Sequence, residues 1–205
     1  ALLTAFDRGA TMNISISTPS ARRDVALALL LAAAMWLTRS HDVTIALPDI
    51  TWAAFFLAGA FSRRWPILIG LALNSFAIDF MALARGESDY CMTPAYAFLL
   101  PTYLSLWAAG RWSAAARLDT AAHALRYAAA LVAGTVLAFC ISNAGFYAFA
   151  GYFDAMSAFE YARRVLRYLP AFLTNTMLYG WLGLVTACAV QWLGSLRAQA
   201  TRSST

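Results

Sequence analysis

The chain has 205 residues, of which 61% are hydrophobic and 12% charged, with a formal charge of +5. Soluble domains carry about a quarter charged residues, so this is the composition of a membrane protein with room for one multi-span domain and no second soluble one. Every basic residue is an arginine, and their distribution reads as membrane topology, so nucleic-acid binding is not the source of the charge.

Residues 1–11 precede Met12-Asn13-Ile14-Ser15, which reads as a translational start. They are set aside as a non-native leader or upstream read-through, leaving 12–197 as a single transmembrane domain and 198–205 as a cytoplasmic tail. Arg22-Arg23 introduce an apolar run, but no small-residue cleavage site with a soluble sequel follows, so no cleavable signal peptide is read there.

The apolar runs predict an all-α integral membrane protein of six transmembrane helices, at 25–37, 45–61, 65–83, 95–109, 125–149 and 169–193. The first run is short and borrows polar flanks. The second starts at Pro48-Asp49, which reads as a loop or broken entry. The third closes at Arg85-Gly86-Glu87, and the fourth follows Pro94, suited to a first helical turn.

With the N-terminus inside, Arg22, Arg23, Arg63, Arg64, Arg111, Arg117, Arg126, Arg197 and Arg202 fall on the cytoplasmic face. The outer face takes Arg39, Arg85, Arg163, Arg164 and Arg167 with most of the acids. Both termini are then cytoplasmic, and the loop carrying Cys91 faces outward.

Several chemistries lack their residues. No GxxxxGK[ST] loop is present, so the chain does not itself hydrolyse ATP. No HExxH or CxxC offers zinc ligands, and the two histidines, His41 and His123, fall on opposite faces. No pair of spans shows the inverted repeat of a secondary transporter. A small helical protein with one elaborate outer face reads as a capture device.

Candidate site residues concentrate on that face. Asp79 lies near the outer end of the third span, with Ser75 one turn before it on the same helical face. An intramembrane acid usually faces a cavity or a partner. It reads either as a ligand-facing carboxylate or as a hydrated acid paired with Arg85. In Glu160-Tyr161-Ala162-Arg163-Arg164-Val165-Leu166-Arg167-Tyr168, Arg164 and Tyr168 stand four apart on one helical face. Arginine's planar fork suits amides, carboxylates and phosphates; lipid headgroups are the alternative target.

Tyr90, Tyr96, Tyr103, Phe146, Tyr147, Tyr152, Phe153 and Tyr161 gather on the outer side, as an interfacial belt or as walls for a wide, flat ligand. Ala28 and Ala32 form a small-xxx-small pair in the first span, which allows close helix approach.

Cys91, in Asp89-Tyr90-Cys91-Met92-Thr93-Pro94, is a lone thiol in a polar gap between spans, whereas Cys140 and Cys188 lie inside apolar runs. An exposed thiol in polar surroundings can act as a nucleophile or metal ligand. An incidental loop cysteine is the alternative.

The Ala28–Ala32 pattern, the Asp79 region, Asp89-Tyr90-Cys91-Met92-Thr93-Pro94-Ala95-Tyr96 and Arg163-Arg164 together resemble the substrate-binding S-components of energy-coupling-factor (ECF) transporters. The similarity is greatest to the solitary BtuM-type vitamin B12 uptake proteins and runs from Met12 to about Arg197. It implies a multi-pass protein of the bacterial inner (cytoplasmic) membrane that binds cobalamin at its outward face. It also implies that Ala28 and Ala32 contact a separate coupling subunit driven by two ATPases, or that no such partner is used, as the word solitary denotes.

In that setting thiolate is a soft donor for cobalt, so Cys91 is the candidate axial ligand, with cysteine-dependent decyanation of cyanocobalamin as a second activity. Asp79, Tyr90, Tyr96, Arg164 and Tyr168 are the candidate contacts to the corrinoid. Cobalamin is the bound substrate, and no independent metal site is expected. Two other readings stay open: a membrane-embedded thiol enzyme, which would want a base such as His41 near Cys91, and an S-component for a different vitamin.

Overall fold

The computed structural model describes residues 21–39, 47–62, 64–114 and 120–203, and these are helical with no strand among them. The helices are α1 (Ala21–Arg39), α2 (Thr51–Phe61), α3 (Trp65–Ala84), α4 (Leu99–Ala114), α5 (Ala121–Phe149), α6 (Ala158–Val165) and α7 (Leu169–Ser203). Tight 3-10 turns, Pro94–Phe98 and Leu166–Tyr168, lead into α4 and α7.

Local chemistry sets the boundaries. α3 begins with Pro66 in its first turn, where a missing N–H costs nothing. It ends at Gly86, whose φ of +90° suits a residue without a Cβ, and the Gly86 N–H returns to the Leu83 carbonyl at 2.9 Å. Ser157 caps α6 by accepting the Glu160 N–H at 3.2 Å. Thr120 caps α5 in the same way through the His123 N–H at 3.3 Å.

Three helical stretches are long and apolar enough to cross a membrane: Trp65–Ala84, Ala121–Phe149 and Ala158–Gly194. Large apolar side chains stand exposed along them, including Leu73 and Phe80 on α3, Leu125 on α5 and Val185 and Val190 on α7. Exposed apolar surface on this scale needs a cover, and lipid supplies one. Of the six predicted spans, the others are shorter or more charged. α1 has 19 residues with Arg22, Arg23 and Asp24 in its first turn; α4 has 16.

The second predicted span is the largest difference. Its helix is only α2, 11 residues, and residues 45–46 of the prediction lie outside the described residues. α2 is apolar all round because it is the centre of the bundle: every residue from 53 to 60 is buried, with Phe55 and Phe56 at 0% exposure. It packs chiefly on α4, and also on α7 and α1, while α5 packs on α4 and touches α2 as well. Phe55 stacks on Tyr103 of α4 with ring centroids 4.0 Å apart. Phe56 meets Tyr127 of α5 edge-on at 5.3 Å.

Candidate functional site

Consecutive long helices alternate in direction, so the ends of α1, α3 and α5 lie beside the starts of α2, α4 and α7. A cavity of about 470 Å³ opens there. Trp52 of α2, Leu99 of α4, Phe139 and Phe146 of α5 and Phe172 of α7 give it apolar walls. Polar groups enter from Arg39, Asp79, Ser88, Tyr96, Ser142, Asn143 and Tyr168. The volume lies within the common range for ligand sites, about 300–1,000 Å³.

A charged network forms the floor. Asp79 of α3 pairs with the Arg39 guanidinium through Oδ1, and its Oδ2 accepts the Tyr96 hydroxyl at 2.8 Å. Arg39 also donates to Ser75 Oγ at 2.8 Å, and its Nε lies 4.0 Å from Asp49 Oδ2. Ser75 in turn shares a hydrogen bond of 2.8 Å with the buried Tyr103 hydroxyl. Asp49 is held by the Thr51 N–H and hydroxyl at 2.8 and 2.6 Å. One arginine thus ties α1 to α3 and to the entry of α2. Asp79 takes Arg39 as its ion-pair partner, in place of the expected Arg85 alternative.

Cys91 sits at the rim, exposed, in the loop between α3 and the turn into α4, and none of the chain's cysteines is in a disulfide. The Met92 N–H closes a turn on the Asp89 carbonyl at 2.7 Å, beside the thiol. Tyr90 lies parallel to Tyr152 with centroids 4.6 Å apart, and the Tyr152 hydroxyl donates to the Tyr90 carbonyl at 3.3 Å. Phe146 and Phe153 continue the cluster, which reaches Tyr161 and Tyr147 beyond them. The cysteine loop is thereby fastened to the connection between α5 and α6 by aromatic contact.

Of the residues expected at a site, Asp79, Tyr90, Cys91, Tyr96 and Tyr168 all line this cavity. Arg164 does not: it is exposed and pairs with Glu160 one turn back at 2.5 Å. The four-residue spacing from Arg164 to Tyr168 is not that of a continuous α-helix, because a 3-10 turn, Leu166–Tyr168, intervenes. Three residues per turn rotate Tyr168 away from the position a continuous α-helix would give it. Arg167 instead lies over the Tyr168 ring, 4.8 Å from its centroid, and donates to its hydroxyl at 2.7 Å.

Ala28 and Ala32 are half-buried and pack against the core, while Leu29 and Leu30 beside them are exposed at 66% and 64%. Cys140 is exposed on the spanning-length helix α5, and Cys188 is half-buried on α7. His41 lies outside the described residues, and His123 is in the first turn of α5, at the end away from the cavity.

Arg39 is the principal residue that sequence reasoning missed as part of the site. As a charge just past the first span it read as a topology signal. Its outward placement, shared with Asp79, was the available clue. Neither a scan against protein-family models nor a search of curated proteins finds a match to this chain.

Proposed function

We propose that this chain is a six-span, ECF S-component-like transporter of the bacterial inner membrane that captures cobalamin at its outward face, with both termini in the cytoplasm. The observation that carries the reading is the exposed Cys91 thiol at the rim of an aromatic-walled cavity floored by Arg39, Asp79 and Tyr96. A corrinoid exceeds 470 Å³, so only part of it enters; the rest lies across the mouth, where Cys91 meets the cobalt. The corrin supplies the equatorial nitrogens, so one protein donor suffices.

Thiolate replaces the nucleotide base on one axial face. Its electron donation weakens the bond on the opposite face. In cyanocobalamin the Co–C bond then breaks heterolytically. The electron pair leaves with cyanide, which takes a proton from water, cobalt stays trivalent, and water fills the vacated position. Energy for release inside comes either from a coupling subunit with two ATPases, docked at Ala28 and Ala32, or from no such partner.

The test is the absorption spectrum of the purified protein. Bound corrinoid gives a red to violet sample whose spectrum differs from free cobalamin. In Cys91→Ser, a hard hydroxyl replaces the soft sulfur, so the difference should vanish and cyanide loss should stop, while Cys140→Ser and Cys188→Ser keep the wild-type spectrum. A colourless protein that takes up no corrinoid would favour a thiol enzyme or a different vitamin. A wild-type bound spectrum in Cys91→Ser would remove cobalt–sulfur ligation.

A further inference from the structure

The floor of the cavity sets a donor beside an acceptor. Arg39 spends one N–H on Ser75 and another on Asp79, and Asp79 takes one further hydrogen bond from Tyr96. A guanidinium has five N–H donors and a carboxylate about four lone-pair sites, so each keeps capacity toward the cavity both line. Asp49 approaches the same guanidinium, so two carboxylates stand against one cation. Asn143, the amide of the wall, donates through Nδ2 to the Phe139 carbonyl at 2.9 Å and accepts at Oδ1 from Tyr161 at 3.3 Å, which leaves it one N–H and one lone pair but no charge.

We infer that this floor selects a primary carboxamide over a carboxylate on the bound ligand. The carboxamide oxygen accepts from Arg39 while its NH₂ donates to Asp79, and both valences are used. A carboxylate of the same shape has no N–H for Asp79 and brings a second negative charge to it. The inference rests on the corrinoid reading and deepens it, because the corrin rim carries several carboxamide side chains whose hydrolysis changes charge with little change of shape. Arg39 is therefore a specificity-determining residue of the site, together with Asp79.

The test titrates cyanocobalamin, and each of its monocarboxylic acids with one rim carboxamide hydrolysed, into the purified full chain. Binding is read by the change in corrinoid absorption. At least one positional isomer should bind on the order of tenfold more weakly than the parent. Asp79→Asn should shrink that penalty, since the repelling charge is gone. Arg39→Gln should deepen it, since the acids remain and the cation does not. Equal binding of parent and all isomers to the wild type overturns the inference whether or not either variant folds. So does a penalty unchanged in a variant that folds. If the parent itself fails to bind, the corrinoid reading falls and takes this inference with it, which separates the two failures.

Discussion

Gly59 of α2 and Gly110 of α4 each admit the backbone of the other's helix. A Cβ on Gly59 would lie 2.0 Å from the Trp107 carbonyl oxygen, and one on Gly110 would lie 2.0 Å from that of Phe56. Both obstructing atoms are backbone, so neither can swing aside. Gly59→Ala and Gly110→Ala should each destabilise the protein by about 2 kcal/mol or more, through separation of the two central helices. Gly70→Ala is the control, since nothing lies within 4 Å of its added methyl. It should be neutral or stabilising by up to ~1 kcal/mol. Thermal unfolding in detergent distinguishes them, and equal melting temperatures for all three would remove the close approach from the account.

The Arg39–Asp79 pair should behave as a unit. The two side chains are 22% and 15% exposed, so removing one leaves the other short of its partner in partly dry surroundings. Arg39→Met should cost about 2 kcal/mol. The double variant Arg39→Met with Asp79→Leu should cost less than the sum of the single changes. Strict additivity in a double-mutant cycle would mean that the pair carries no coupling.

Thiol accessibility tests orientation. On intact cells a membrane-impermeant maleimide should label Cys91 and spare Cys140 and Cys188, because on the proposed topology only the first lies in an outward-facing loop. Cys140, although exposed, stands on α5, which is long and apolar enough to span, and on that reading lipid shields it. Labelling of Cys91 only after the inner side is opened would invert the topology.

If the chain is the proposed transporter and docks a coupling subunit at α1, replacing both Ala28 and Ala32 by leucine should abolish uptake by cells while the purified protein still binds corrinoid. The two added side chains would hold a partner helix away from α1, far from the cavity. Uptake at the wild-type level, or loss of folded protein, would assign the two alanines to packing within the bundle, where they touch the core.

The spans at α3, α5 and α7 were legible because their apolar runs are long and unbroken. α2 was harder to bound, since a helix buried on every side shows no polar face to mark its register, and only Pro48 and Asp49 hinted at a late start. Cavity residues near one another in the chain, Tyr90, Cys91 and Tyr96, could be found by proximity. Arg39 could not, because its partner Asp79 is 40 residues away and the pairing exists only once α1 lies against α3. Arg164 lies outside the cavity lining, and the 3-10 turn at Leu166–Tyr168, which breaks its helical spacing to Tyr168, left no mark in the sequence pattern.

The shortness of α2 has a consequence for the path across the bilayer. At 1.5 Å per residue its 11 residues rise about 16 Å, roughly half of the hydrocarbon core. Trp52, in its first turn, lines the cavity. On the transporter reading, a ligand resting over Trp52 has therefore already descended through about half of the barrier without any helix moving. What remains beneath it is a dry plug, the seam of α2 and α4 closed at Gly59 and Gly110. On that reading, inward release has to open the packing around α2, chiefly its seam with α4.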